Sequence, residues 1–385
     1  MVDQAKLKAL LHWLAAGAPP QTNYRTTVAE LGRRMSDIGI AADYVGLYQI
    51  TLNPLVGGLR YSWEPKRGVS VREFSHEQMT SDLFMDGVID VSRNTRKLLR
   101  YRVGDTPEFD EHPGSRPIIE AGYSEFNVFP MQVITQDSSM FVVAVRREGG
   151  LPEDQFDACR RIVAPLARIV QSQMQTETNE TLLATYLGKD AGARVSAGMV
   201  KRGDAEMIRA VVLFTDITGF TALSNRLPSD ETVVILNRYF EALETPIMKN
   251  GGEVLKLMGD GMLAIFPTFD DVTAEEGAAL SALSAVADAQ NALADEEITF
   301  RSAYHIGEVH YGNIGGLNRL DFTAIGPVVN LTSRLLDVAS SEKLDATCSV
   351  AFSKLVPERV RALGDFELKG FGKPQPVLSF LKNNL

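Results

Sequence analysis

The sequence predicts an α+β protein in two halves joined by a helical stretch, and three observations predict it. Residues 1–172 alternate helical periodicity with short strand-like runs closed by turn residues. Residues 205–385 contain two near-continuous apolar runs, Ile208–Asp216 and Met262–Phe266, with one amphipathic helical stretch at 229–249 before the second. Between the halves, 173–204 carries helical periodicity at Leu182, Leu183, Tyr186 and Leu187, which Gly188, Gly192, Gly198 and Gly203 then interrupt.

The bulk properties agree with that reading and exclude several classes. A length of 385 residues allows two or three domains, each with its own core. Hydrophobic residues at 45% and charged residues at 23% are ordinary for a globular protein. The net charge of -10 argues against a partner nucleic acid bound by phosphate neutralisation. Cys159 and Cys348 lie far apart without a C-x-x-C pair, so a reducing compartment is expected, with neither a disulfide framework nor a zinc ribbon. No run of about 18 apolar residues suggests a membrane span. At the N-terminus, Leu7, Leu10, Leu11 and Leu14 fit an amphipathic helix better than a signal peptide, so the expected location is cytoplasmic.

Taken in order, helices are expected at 5–16 and 25–38, the second with Val28, Leu31 and Met35 on one face and Gly39 at its end. Strands are expected at Tyr44–Leu52, Leu59–Trp63 and Val69–Phe74, with a turn at Pro54 and Gly57-Gly58. Residues 77–100 read as partly helical and 103–117 as a loop. Glu125–Val133 and Ser139–Arg146 read as a strand pair joined by a polar turn at Gln136-Asp137-Ser138. Pro152 opens a long helix, with Glu153 and Asp154 placed to favour its N-terminal dipole and an apolar stripe from Phe156 towards Met174.

In element order and size, residues 1–172 resemble a sensory domain of the GAF type, which implies a regulatory half with a small-molecule ligand of unknown identity. No motif carries that resemblance. His12, His76 and His112 read as solvated or hydrogen-bonded side chains rather than haem or metal ligands. Tyr48, Trp63, Tyr101, Tyr123, Phe126 and Phe129 are divided between a ligand pocket and the core, most of them in the core. The 173–204 segment reads either as a helical transducer that packs against its copy in a dimer or as a linker.

The second half carries the chemistry. Ile208–Asp216 reads as a strand buried on both faces, ending in an aspartate. The chain then turns at Gly219 into a helix start that includes Phe220 and Thr221, where backbone N–H groups can face an anion. After the helix at 229–249, Glu253–Met258 and Met262–Phe266 form a hairpin with Asp260 at its tip. A cover helix is expected at 273–294. Phe300–Ile306 and Glu308–Ile314 read as another strand or hairpin, 315–321 as a polar tongue, and Phe322–Ile325 as leading to Gly326-Pro327. A helix at 328–339 puts Asn330 and Arg334 on one face, and Phe366–Lys369 and Val377–Phe380 read as closing strands. Two strands that bring Asp216 and Asp260 together make a site for hard divalent cations.

Six stretches in order resemble the catalytic domain of bacterial class III adenylate cyclases. They are Phe214-Thr-Asp-Ile-Thr-Gly-Phe-Thr221, Lys256-Leu-Met-Gly-Asp-Gly261, Arg301-Ser-Ala-Tyr-His-Ile-Gly307, Asp321-Phe-Thr-Ala-Ile-Gly326, Asn330-Leu-Thr-Ser-Arg334 and Leu368-Lys-Gly370. The resemblance implies a ferredoxin-like βαββαβ fold for 205–385 and cyclisation of ATP to 3′,5′-cyclic AMP and pyrophosphate. It implies two Mg²⁺ or Mn²⁺ ions per site on Asp216, Asp260 and the backbone carbonyl of Ile217. Arg334 takes charge developing on the α-phosphate, Asn330 orients the ribose, and Arg301 and Lys369 hold the β- and γ-phosphates.

For the base, a lysine at 256 can donate to adenine N1, whereas guanine N1 carries a proton and repels it. Thr323 stands where many relatives have an aspartate and matches a bacterial subgroup, some of whose members respond to bicarbonate. Its hydroxyl accepts from the adenine 6-amino group but can also donate, which loosens discrimination against guanine. The resemblance also implies a homodimer. One copy supplies Asp216, Asp260 and Arg301 to a site, and the other supplies Lys256, Thr323, Asn330, Arg334 and Lys369. Guanylate cyclase and a silent nucleotide-binding module are the alternatives.

Overall fold

The computed structural model describes residues 1–20, 23–131, 139–268 and 272–381. The polar turn expected at Gln136-Asp137-Ser138 lies outside the described residues. Contacts divide the chain into two units, Met1–Leu182 and Leu183–Leu385.

The first unit is built on a six-stranded antiparallel sheet. Its strands are β1 (Tyr44–Ile50), β2 (Gly58–Glu64), β3 (Gly68–Phe74), β4 (Leu99–Arg102), β5 (Glu125–Met131) and β6 (Ser139–Val145), in the order β3-β2-β1-β6-β5-β4. Side chains alternate between two cores, as the strand period of two requires. Val45, Leu47, Phe141 and Val143 face the helices Gln4–Ala15, Tyr24–Asp37 and the start of Glu153–Leu187. Tyr44, Phe126, Val128, Met140 and Val142 face the other way, against Val88, Phe109 and Ile118. Strand β4 falls in the stretch expected to be partly helical; four residues at a sheet edge are too few to show a period. The expected loop at 103–117 contains a short helix, Pro107–Asp110.

The long helix runs from Glu153 to Leu187, well past the expected end near Met174, with Pro165 inside it. Leu166, Ile169 and Val170 are buried just beyond that proline, so packing on the sheet holds the helix through the lost hydrogen bond. Gly188, at φ +93°, ends it in a backbone conformation that other residues avoid.

In the second unit the strands are β7 (Ala205–Ile217), β8 (Glu253–Met258), β9 (Gly261–Thr268), β10 (Phe300–Gly315), β11 (Leu320–Ile325), β12 (Ala346–Ser349), β13 (Val360–Phe366) and β14 (Gln375–Phe380). The sheet order is β13-β14-β12-β10-β7-β9-β8, with β11 paired to β10 off that path. The helices Ser229–Lys249 and Val272–Ala292 make the crossovers β7-to-β8 and β9-to-β10. Those four strands thus form a ferredoxin-like βαββαβ core with the fourth, first, third and second side by side.

Strand β7 is covered on both faces, as its apolar run predicts. Val211, Leu213 and Ile217 pack with Tyr239, Leu243 and Val286 of the crossover helices. Ala210, Val212 and Phe214 pack on the opposite face with Phe322, Val328 and Ala191. Ala191 belongs to the helix Lys189–Ser196, so the second half of the 173–204 segment is part of this core.

Of the two readings left open for Phe300–Ile306 and Glu308–Ile314, strand or hairpin, the strand holds: they are one strand of 16 residues, and Gly307 makes no turn. A Cβ at Gly307 would lie 2.6 Å from Val328 Cγ2, so this glycine lets the helix Pro327–Ser341 lie close on the strand. Phe366–Lys369 is not a strand: β13 ends at Phe366, and Phe371 N–H donates to Leu368 O in the turn that follows. The short β12, parallel to β10, was not expected at all. Its pairing depends on residues more than 40 positions away, which a local pattern cannot show.

Candidate active site

The end of β7 is fixed before any ligand arrives. Tyr239 donates a buried hydrogen bond of 2.7 Å to Thr215 Oγ1, one residue before Asp216. Asp216 then lies opposite Gly261 of β9 on one side and Arg301 of β10 on the other. Ile217 N–H donates to Asp260 O at 3.1 Å, which ties the hairpin tip to the strand end and brings the two carboxylates together. Burial first, then the charge and hydrogen bond of Asp260, raise the Asp216 carboxyl to about 6, with Arg301 opposing them. Asp337 also pushes it up, which puts the far part of the helix Pro327–Ser341 near this corner.

This donor set fits a divalent cation. Two carboxylates that repel one another's ionised form gain most from a cation between them. Among the described residues no cluster holds three or more His, Cys, Asp or Glu side chains. Oxygens from a phosphorylated ligand would complete the coordination sphere of a hard ion, as is usual when a protein supplies only one or two carboxylates. Ile217 is buried beside both aspartates, with its N–H already used by Asp260. Phe220 packs against the core and Thr221 is exposed at the start of the short helix Phe220–Ser224, after Gly219 at φ +73°.

A second cluster forms around Lys256. A cleft of about 400 Å³ is lined by Lys256, Asp321 and Thr323, with Phe240, Glu244 and the segment Ala184–Gly188. Lys256 Nζ donates to Asp321 Oδ2 at 2.7 Å. That bond holds the Asp321 carboxyl below its usual range. Both side chains are close to half exposed, so the pair is worth about 0.2–1 kcal/mol, and its main effect is to aim the ammonium. Asp321 was assigned no role from the sequence. The available signal was its place two residues before Thr323 on a strand, which puts both on one face.

The remaining residues take their expected elements. Asn330 is exposed and Arg334 half-buried one turn on, in the helix that starts after Gly326. Arg334 donates to Asp337 Oδ2 at 2.8 Å, and Arg301 donates to Ser340 Oγ at 3.2 Å. Lys369 is exposed in the turn after β13. The structure therefore brings Asp216, Asp260 and Arg301 together, and separately Lys256, Asp321 and Thr323. The cleft of the second group contains neither Asp216 nor Asp260.

In the first unit, His76 Nε2 lies 2.9 Å from Asn53 O. His112 Nε2 lies 2.7 Å from Met85 O while its Nδ1 accepts from Gly114 N–H. Both rings are engaged with backbone. Of the aromatic residues divided between pocket and core, Trp63, Tyr101 and Phe129 are buried in cores, and Tyr48, Tyr123 and Phe126 line a cavity.

Comparison with known proteins bears on the second unit. Residues 205–383 match the family model described as the adenylate and guanylate cyclase catalytic domain. An uncharacterised protein of Mycobacterium tuberculosis strain H37Rv is 33% identical over 176 residues, 45% of this chain and 30% of that protein. Another from strain CDC 1551 is 29% identical over 217 residues, 55% of this chain and 38% of that protein. The chain spans about a third of the length of these curated relatives. Among solved structures, the adenylyl cyclase CyaB of P. aeruginosa is 25% identical with a TM-score of 0.42, over 47% of this chain and 98% of that one. The guanylyl cyclase Cya2 is 27% identical with a TM-score of 0.39, over 46% of this chain and 93% of that one. No helix among the described residues is long and apolar enough to cross a membrane. Residues 205–383 are a class III adenylate/guanylate cyclase catalytic domain, a nucleotide-using lyase module whose family generally uses divalent metals.

Proposed function

We propose that the chain is an adenylate cyclase that works as a homodimer under the control of a GAF-like N-terminal unit. The observation that carries the choice of ATP is Lys256 in one cleft with Thr323, its ammonium aimed by Asp321. In the reaction the 3′-hydroxyl oxygen bonds to the α-phosphorus and gives up its proton to solvent, the bond from that phosphorus to the bridging oxygen breaks, and pyrophosphate leaves with the electron pair. Asp216 and Asp260 would hold divalent cations, which when bound would lend Lewis acidity to the hydroxyl and the phosphate. Arg334 meets the charge that develops on the α-phosphate with a planar guanidinium, which suits a phosphate better than an ammonium does. Asn330 orients the ribose, Arg301 and Lys369 hold the β- and γ-phosphates, and Lys256 and Thr323 read the adenine edge.

Two features support the dimer. The cleft with Lys256 and Thr323 contains neither Asp216 nor Asp260, which a site shared between two copies accounts for. The strand that carries Lys256 is also a sheet edge, and its Leu257 and Met258 are exposed, as are Val233 and Val234 on the adjoining crossover helix. Asp260→Ala mixed with Arg334→Ala is expected to recover turnover, because each heterodimer rebuilds one intact site. A mixture that stays inactive while both variants still dimerise sinks the shared-site arrangement.

The sheet order β3-β2-β1-β6-β5-β4, with three long helices on one face and short helices on the other, supports a sensory fold for the first unit. One observation favours a second reading. Asp321 places a carboxylate in the base cleft, and a carboxylate can accept from guanine N1–H. Assaying ATP and GTP side by side with Mg²⁺ and with Mn²⁺ decides this. Cyclic AMP as the main product supports the proposal, and a preference for GTP replaces it with a guanylate cyclase. Metal-dependent turnover of either nucleotide removes a silent nucleotide-binding module.

A further inference from the structure

The first unit encloses a cavity of about 290 Å³, close to the lower end of the range for ligand pockets. It lies on the sheet face away from the long helix. Across β1, β2 and β3, Tyr48 stands opposite Arg60, and Arg60 opposite Arg72, in one row. All three side chains line the cavity.

The charge in this row is not balanced. Like charges directly opposite on neighbouring strands are destabilising, yet two arginines stand opposite here, both over the Phe74 ring. Neither Arg60 nor Arg72 has a carboxylate within ion-pair distance among the described residues. The carboxylate that acts on Arg60 is Glu64, which is engaged with Arg146 at 3.6 Å. Arg93, the third arginine on the wall, is already held by the buried Asp90. Arg60 Nε is buried with no hydrogen-bond partner. A buried donor without a partner is rare and costly, and a charged one more so. The Tyr48 hydroxyl is hydrogen-bonded to Arg60 and lies 2.9 Å from the Tyr44 hydroxyl, but neither brings a carboxylate to the row. Elsewhere the wall is mostly apolar, with Val88, Ile118 and Phe126, and Gln49 and Ser115 add polar groups.

We propose that this cavity binds a small organic anion, with a carboxylate or phosphate head on Arg60 and Arg72 and an apolar or aromatic body against Val88, Ile118 and Phe126. A guanidinium pair presents several donors in fixed planes and matches either head group. The site gives the sensory reading of this unit its ligand class. It rests on that reading for any effect on turnover, but not for binding.

Binding is therefore what the test reads. Benzoate, phenyl phosphate and neutral benzamide are titrated into the full chain without divalent metal, with calorimetry and thermal unfolding as readouts. At least one of the two anions is expected to bind and to raise Tm with concentration, and which one identifies the head group. Benzamide is expected to do neither. Arg60→Gln and Arg72→Gln are each expected to weaken the anion at least about tenfold, the loss of a charge-assisted bond. Arg72→Lys, which keeps the charge and loses the fork, is expected to fall between. The ligand-free Tm of each Gln variant reports that the fold survives. Failure of both anions to bind the unmodified chain at millimolar concentration overturns the proposal. So does equal binding of benzamide, or anion binding that neither substitution weakens, which would place the anion elsewhere, in the catalytic unit for example. A bound anion with unchanged turnover leaves the site standing and removes only the sensory reading.

Discussion

The two units leave like charges together with opposite signs. In the catalytic unit three cations near the site stand beside carboxylates: Lys256 with Asp321, Arg334 with Asp337, and Arg301 beside Asp216. The exception is the pair Asp216 and Asp260, where two negative charges meet and a cation is called for. In the N-terminal unit the exception has the opposite sign. Arg60 and Arg72 face one another with no carboxylate between them. Where a fold leaves like charges together, the missing counter-charge points to what binds there.

The largest expected effect tests the negative pair. Asp216→Asn removes one of two carboxylates and is expected to lower kcat roughly 10³-fold, the loss of several kcal/mol of cation-borne stabilisation. Near-normal turnover with Mg²⁺ in this variant would break the comparison at its strongest point. A pH series sharpens it. Because the Asp216 carboxyl is raised to about 6, protons compete with the cation below that value. Metal affinity is expected to fall roughly tenfold per pH unit as pH drops from 6 to 5, and to be flat above 7. The folding linkage has the opposite sign. A carboxyl with a raised folded pKa stabilises the metal-free fold at pH below its unfolded value, and that contribution is lost as pH rises through about 6. Thermal unfolding of the metal-free chain across pH 4–8, beside Asp216→Asn, reads this directly.

Smaller effects separate the two clefts. Asp321→Asn unties Lys256 and is expected to raise KM for ATP about tenfold with a lesser change in kcat. A lower KM would instead mean that Asp321 competes with the base for the ammonium. In stability, Asp321→Asn is expected to cost at most about 1 kcal/mol, since the pair is exposed. Arg60→Gln loses its hydrogen bond to Tyr48 together with the charge opposite Arg72, and these oppose each other, so its ligand-free Tm is expected to be roughly unchanged. A large fall in Tm would mean that the charge is satisfied within the chain and calls for no anion.

Much of the catalytic unit was legible from the chain alone. Asp216 and Asp260 end apolar runs, so the strands that deliver them could be placed, and the helix at 229–249 was bounded by Asp230 and Gly251-Gly252 as expected. Gly307 left strand and hairpin both open because a glycine that makes a turn and one that admits a neighbouring helix look the same in sequence. Asp321 was passed over because an acidic residue before a strand usually means only a solvated turn. The N-terminal unit was harder to read. Its helices and most strands showed their periods, but β4 was too short to do so.

The sequence by itself determined the order of elements, the two-sided burial of β7 and the pairing of the metal-side carboxylates, because each rests on local periodicity and spacing. Only the tertiary structure decided which charges meet. Strand register set Arg60 against Arg72, and the approach of β11 to β8 set Asp321 against Lys256. Register and approach come from packing between distant segments, and a side chain's electrostatic partner is not encoded in its own neighbourhood.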